Sequence, residues 1–327
     1  MIPKKAPAFP QHLASTAFFE SARAGLSAFY RSQAIDGRLR VILPSYIGWS
    51  PNEGSGLFDS VTNGNYEYAF YELDRQGNAR VESLRALEKT SAPSVLVLVH
   101  YFGRPDLRYD ELVSVGIDRG WALAEDCAHA MLTHLCAQRL GARSDAMVYS
   151  LHKMLPLNTG GILLTTAGGI PDGIDTEEML SAARSFIGYD HASAADHRQQ
   201  ISIAIRNEMP MLDGLASPLW EDTDLTRFVP QSYPIVIHAG PEKRNLLYER
   251  LHEQCGLTTL YHTLINPLLD ENSFADSQWL SNHIINLPVH TAVTLESVKP
   301  TLAAIREVLS EQPLSSDARM HAAHQDQ

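Results

Sequence analysis

The sequence predicts an α/β fold: a mainly parallel mixed sheet flanked by helices, with a smaller α+β unit towards the C-terminus. Three observations carry that expectation. From about residue 40 to residue 166, short apolar runs alternate with segments of helical period, the mark of β-α units. The runs are continuously apolar, as expected of strands covered on both faces. After residue 170 the pattern turns helical, and from Gln231 a compact mixture of short strands and helices begins.

Taken in order, the predicted strands of the large unit are Arg40–Pro44, Tyr68–Leu73, Ser94–His100, Trp121–Glu125, Ala146–Ser150 and Gly161–Thr165. Ser94–His100 is the most apolar and is expected at the sheet centre. Helices over Arg80–Lys89, with Val81, Leu84 and Leu87 on one face, and over Tyr109–Val115 supply the crossovers that parallel strands require. Thr176–Phe186 and Ala194–Leu215 read as two further helices bridging to the second unit. That unit has predicted strands Tyr233–Ile237, Leu257–Tyr261 and Ile284–Val289, and helices Pro241–Gln254 and Leu295–Leu309. The expected organisation is a large domain over residues 1–225, whose first 14 residues form an extended arm, a small domain over 226–312, and a polar mobile tail over 313–327.

Composition narrows the function. A chain of 327 residues with 44% apolar side chains is long enough to bury a large core. A net charge of −12 disfavours a phosphate-tracking surface, so nucleic acid is not an expected partner. Three cysteines cannot build a disulfide framework, which fits a reducing cytoplasmic setting. No apolar run follows Lys4 and Lys5, and none anywhere approaches membrane-spanning length, so neither secretion nor a membrane partner is expected.

Two short segments carry candidate chemistry. Glu125-Asp126-Cys127-Ala128-His129-Ala130 follows a predicted strand, and ligands of open α/β sheets bind at carboxyl strand ends. Alone, this segment reads equally well as a helix-capping acid and a half-buried histidine. Ser150-Leu151-His152-Lys153 closes another strand and precedes Gly160-Gly161. Alone, Lys153 reads as a surface lysine with its stem laid along the protein. Together they match the needs of pyridoxal 5′-phosphate. That cofactor requires a carboxylate to keep its pyridine nitrogen protonated, a lysine to form a Schiff base with its aldehyde, and donors for its phosphate, which Ser150 and His152 could supply.

At these residues the sequence resembles the DegT-type (sugar) aminotransferase family of fold-type-I pyridoxal-phosphate enzymes. Glu125-Asp126-Cys-Ala128-His129 is similar to its Glu-Asp-x-Ala-(Gln or His) motif, and Lys153 with Gly160-Gly161 to its lysine and following glycines. Further similarity lies in Leu43-Pro-Ser-Tyr46, Val99-His-Tyr-Phe-Gly103 and Asn286-Leu-Pro-Val-His290. The resemblance implies that Asp126 contacts the pyridine nitrogen, Ala128 packs under the ring, His129 bonds the ring hydroxyl and Lys153 holds the aldehyde. Asp126, His129 and Lys153 are thus the expected catalytic residues. Ala22 and Arg23, at a helix start, replace the family's phosphate turn, and either Tyr46 or Trp49 stacks on the ring.

The resemblance further implies a cytoplasmic homodimer that moves an amino group from a glutamate-like donor to a small carbonyl or keto-sugar acceptor. Ser150-Leu-His-Lys153 is more compact than the family's serine-to-lysine segment and is similar to that of cysteine desulfurases. A lyase, β-elimination or desulfurase-like reaction, or a non-catalytic binding protein on the same fold, are the alternatives. A zinc site at Cys127, His129, His134 and Cys136 is disfavoured, because the spacing matches no usual zinc pattern; no metal is expected.

Overall fold

The computed structural model describes residues 13, 15–51, 53–137, 140–166, 177–221, 223–269 and 273–311. The expected arm, apart from Leu13 and residue 15 onward, and the expected tail lie outside them. The large sheet opens with β1 (Ser15–Phe19), followed by α1 (Ala22–Gln33), β2 (Arg40–Pro44), α2 (Asp59–Asn63), β3 (Glu67–Tyr71) and α3 (Val81–Ala86). It continues through β4 (Ser94–Val99), α4 (Tyr109–Arg119), β5 (Ala122–Asp126), α5 (Met131–Ala137), β6 (Ala146–Ser150) and β7 (Gly161–Thr165). The seven strands lie in the order β1-β7-β6-β5-β4-β2-β3. Neighbours from β6 to β3 are parallel, while β7 runs antiparallel to both β6 and β1.

The predicted strands reappear almost residue for residue because both faces are covered: Val41–Leu43, Val95–Leu98 and Ala146–Tyr149 are all buried. Helix α4 runs past its expected end at Val115 to Arg119 and stops where Gly120 takes a left-handed conformation (φ 67°). Several elements were not expected, among them β1, α2 and the body of α1 beyond its start. Strand β1 is short and only part-buried, and its place is set by pairing with β7 rather than by its own pattern.

The chain leaves the large sheet through α6 (Glu177–Gly188) and α7 (His191–Glu208). Asp190 caps α7 by accepting the Ser193 N–H at 3.1 Å. The helix expected to run to Leu215 gives way at Met209 to a single 3-10 turn containing Pro210, which has no N–H to continue the ladder. A separate antiparallel sheet has the order β10-β9-β8, from β8 (Ala216–Pro218), β9 (Ser232–Ile237) and β10 (Ile284–Pro288). It is backed by α8 (Pro241–Cys255), α9 (Ala275–His283) and α10 (Leu295–Ser310).

One predicted strand is absent. Leu257–Tyr261 makes a single bridge, Thr258 to Asn286, and leaves the sheet. At its end the backbone of Tyr261 is left-handed (φ 59°), which turns the chain off an extended path. Among the described residues, no helix is long and apolar enough to cross a membrane.

Candidate active site

The sheet register brings the functional residues to one edge. In β4 and β5, Val99 pairs with Asp126, and Ser150, the last residue of β6, lies opposite Gly161. Phe19 also pairs with Gly161, so β1 delivers the start of α1 to the mouth of β6. That approach is close: a β-carbon on Gly161 would lie 2.3 Å from the Ser21 carbonyl carbon and 2.4 Å from the Ala22 nitrogen. Only glycine admits it. Ser21 caps α1, its Oγ accepting the Ala24 N–H at 3.2 Å, and the positive end of the helix faces a pocket.

The pocket has a volume of about 250 Å³ and takes in every predicted site residue: Ala22, Arg23, Tyr46, Trp49, Asp126, Ala128, His129, Ser150, His152 and Lys153. Asp126 ends β5, and its Oδ1 accepts the Ala128 N–H at 2.8 Å. Burial pushes the Asp126 carboxyl above the usual range, opposed by the charge of Lys153 and the Ala128 amide. Lys153 sits on a 3-10 turn after β6. Burial lowers its amine below the ordinary lysine value, opposed by Asp126 and Glu53. A carboxylate and an amine therefore face one cavity, each short of the solvation its charge requires.

His129 Nε2 lies 3.3 Å from Lys153 Nζ. Burial, with the adjacent lysine, holds the imidazole well below its usual pKa, so it is neutral. Ser150 Oγ and His152 Nδ1 share a hydrogen bond at 3.3 Å near the α1 terminus, with the His152 ring exposed. Arg23 is tied to Asp59 at 3.1 Å and to the Glu53 carbonyl. Of the two candidate stacking residues, Tyr46 is buried and packs against Tyr101 and Tyr261 at 5.3 and 5.0 Å, whereas Trp49 is 48% exposed.

Sequence reasoning missed Tyr101 and Tyr261 as pocket residues. Tyr101 could have been found, since it lies inside the His-Tyr-Phe-Gly segment that follows β4. Tyr261 had no signal, because its arrival at the pocket depends on the turn that ends the expected strand. The four residues weighed for zinc do not converge. His134 bonds the Tyr149 hydroxyl, and Cys136 is exposed with its Sγ near the His191 carbonyl. His100, Glu125 and Cys127 do lie close together, but Glu125 is already engaged. It pairs with His100 Nε2 at 3.0 Å, accepts the Tyr109 hydroxyl at 2.7 Å, and also accepts from Gly141 N and Ser144 Oγ. Burial would raise this carboxyl, yet those donors outweigh it and hold it below the usual range.

This arrangement fits pyridoxal 5′-phosphate on its own terms. A half-buried, desolvated carboxylate calls for a cationic ring N–H, a half-buried amine faces the same space, and a capped helix start held close by Gly161 offers an anion seat. Fold and site together define an α/β fold-type-I transferase. Residues 19–181, the stretch that carries Asp126 and Lys153, match the model of the DegT/DnrJ/EryC1/StrS aminotransferase family. The chain belongs to that family. It is similar to uncharacterized protein MJ1066 of Methanocaldococcus jannaschii, at 23% identity over 291 residues and 74% of each chain. Among solved structures, Helicobacter pylori PseC, an aminotransferase involved in the biosynthesis of pseudoaminic acid, superposes with a TM-score of 0.74 at 17% identity, covering 94% of this chain and 92% of that one. DesI, solved in the presence of its TDP-sugar product, gives 0.69 at 20% identity over 95% of this chain and 83% of that one. NtdA of Bacillus subtilis with bound cofactor PMP gives 0.71 at 14% identity over 90% and 73%.

Proposed function

We propose that the protein is a pyridoxal-phosphate-dependent aminotransferase that moves an amino group from a glutamate-like donor to a small carbonyl or keto-sugar acceptor. The observation that carries this reading is the placement of Asp126, at the end of β5, and Lys153, on the turn after the adjacent parallel strand β6, around one pocket. Family membership and the sugar product held by DesI support the acceptor class. When bound, the cofactor supplies an electron sink for the carbon that loses its proton.

The residues around it supply the rest. Asp126, desolvated and anchored by the Ala128 amide, holds a proton on the pyridine nitrogen. Lys153 would hold the cofactor through its aldehyde, and its Nζ, with a pKa lowered by burial, would serve as the group that takes and returns a proton at the reacting carbon. His129 donates to the ring oxygen. The α1 terminus, Ser150 and His152 bind the phosphate, and Ala128 with the buried Tyr46 confines the ring. The reading includes a homodimer, to be checked by sedimentation. A reducing cytoplasmic setting accords with three free cysteines.

The test is the absorbance spectrum of the purified protein with added pyridoxal phosphate. A visible band that is lost in Lys153→Ala is expected, and a colourless wild type would overturn the reading. Glutamate should then convert the cofactor to its amine form with release of 2-oxoglutarate. A band that persists with every amino donor would favour elimination or binding alone.

A further inference from the structure

The turn that follows β4 contains two consecutive residues with left-handed backbone, Phe102 (φ 54°) and Gly103 (φ 95°). For an aromatic residue this conformation is costly, and it persists only where its surroundings impose it. Here they do so from three sides. The Gln231 N–H donates to the Phe102 carbonyl at 2.8 Å. Thr133 Oγ1 donates to the Gly103 carbonyl at 2.7 Å and itself accepts the Val229 N–H at 2.9 Å. A β-carbon on Gly103 would lie 2.3 Å from the Val229 carbonyl oxygen. The turn is therefore clamped between α5 and the segment 229–231 that leads into β9.

The clamped turn aims the Phe102 N–H at His129 Nδ1, 3.4 Å away, with the Phe102 ring alongside the imidazole at 22°. A backbone N–H can only donate, so Nδ1 must carry a lone pair and the ring proton must reside on Nε2. Nε2 is the nitrogen that faces Lys153 Nζ.

We propose that Phe102, through its backbone amide, is a positioning residue that locks His129 as the Nε2–H tautomer, so that the imidazole presents a donor, never an acceptor, to the cofactor's ring oxygen. The inference rests on the cofactor reading above. It also accounts for a chemical puzzle at this position. Glutamine, the alternative residue in the motif, offers an amide N–H₂ donor, whereas a free imidazole can place either a lone pair or an N–H in the pocket. The Phe102 amide removes that ambiguity. Lys153 and Tyr261 lie against His129, and Asp126, Tyr101, Tyr46, Glu53, Arg23, His152 and His262 line the same pocket. Of these, Lys153 disfavours an imidazolium.

The test is long-range ¹H–¹⁵N correlation NMR of histidine-labelled full-length protein, with and without pyridoxal phosphate, from pH 8 to pH 5. His129→Gln identifies the resonance. In the wild type, His129 should be neutral throughout, with the Nε2–H form favoured by about tenfold or more. An Nδ1–H tautomer, or an imidazole that titrates near its ordinary value, overturns the proposal. Gly103→Ala, which displaces the turn, should let the tautomers mix. Should that variant fail to fold, the wild-type measurement still decides. With cofactor, His129→Gln should bind pyridoxal phosphate more tightly than His129→Leu; equal binding counts against the donor role. A wild type that binds no cofactor overturns the aminotransferase reading, while the NMR of the unloaded protein still decides the tautomer.

Discussion

Gly161 and Ser21, 140 positions apart in sequence, are in backbone contact, with space for no side chain between them. This contact joins the last strand of the lysine segment to the helix start that would hold a phosphate. Gly161→Ala should push the Ser21–Ala22 turn away from Ser150. The expected result is a loss of about 1–3 kcal/mol in urea unfolding and a cofactor affinity weakened by roughly tenfold or more, measured by absorbance titration. Unchanged affinity would show that the α1 terminus is not the phosphate seat.

Asp126→Asn keeps an oxygen to accept the Ala128 N–H but removes the charge proposed to hold the pyridine proton. Cofactor binding through Lys153 should survive, so the visible band remains. Turnover should fall by roughly 10²–10³-fold, the usual scale for loss of one preorganised electrostatic partner. Wild-type turnover in this variant would sink the assigned role.

His134 provides a pH signature. Burial lowers its pKa to about 4, while an unfolded chain takes up the proton near the ordinary value of 6.5. Below that value the unfolded state binds a proton that the folded state refuses, so stability falls as pH drops from about 6.5 towards 4. The full effect is about 3 kcal/mol. His134→Gln can still bond the Tyr149 hydroxyl and does not titrate. Urea unfolding at pH 7 and pH 5 should show a smaller difference for this variant than for wild type; equal differences would contradict the assignment.

Tyr46 and Trp49 should separate stability from function. Tyr46 is fully buried among aromatic rings, and Tyr46→Ala should cost about 3–5 kcal/mol. Trp49 is half exposed, and Trp49→Ala should shift the unfolding midpoint by an amount equivalent to less than about 0.5 kcal/mol. Any loss of cofactor or substrate affinity in Trp49→Ala then reports a contact at the pocket, read by titration against the unfolding curve.

Much of the site was legible because its chemistry is written in adjacent residues. Asp126, Ala128 and His129 occupy one strand end, as do Ser150, His152 and Lys153, and a strand end is set by a local apolar pattern. Arg40–Pro44, Ala146–Ser150 and Gly161–Thr165 were readable for the same reason: continuous apolar runs bury on both faces whatever their neighbours are. Other features were hidden because no local pattern encodes them. Strand β1 exists by pairing with β7, and Leu257–Tyr261 reads as a strand until the left-handed turn at Tyr261 diverts it.

The sequence alone singled out the groups proposed to carry the chemistry: an acid, a lysine and an imidazole, at or just beyond strand ends of an α/β sheet. Only the tertiary structure decided how they face one another. The register of β4, β5 and β6 sets Asp126 beside Lys153. The contact of Gly161 with Ser21 brings in the helix start, and the clamped Phe102 amide selects the proton position on His129. These are relationships between backbone segments distant in the chain. Their energies come from desolvation and hydrogen-bond geometry, which exist only once the sheet has closed around the pocket.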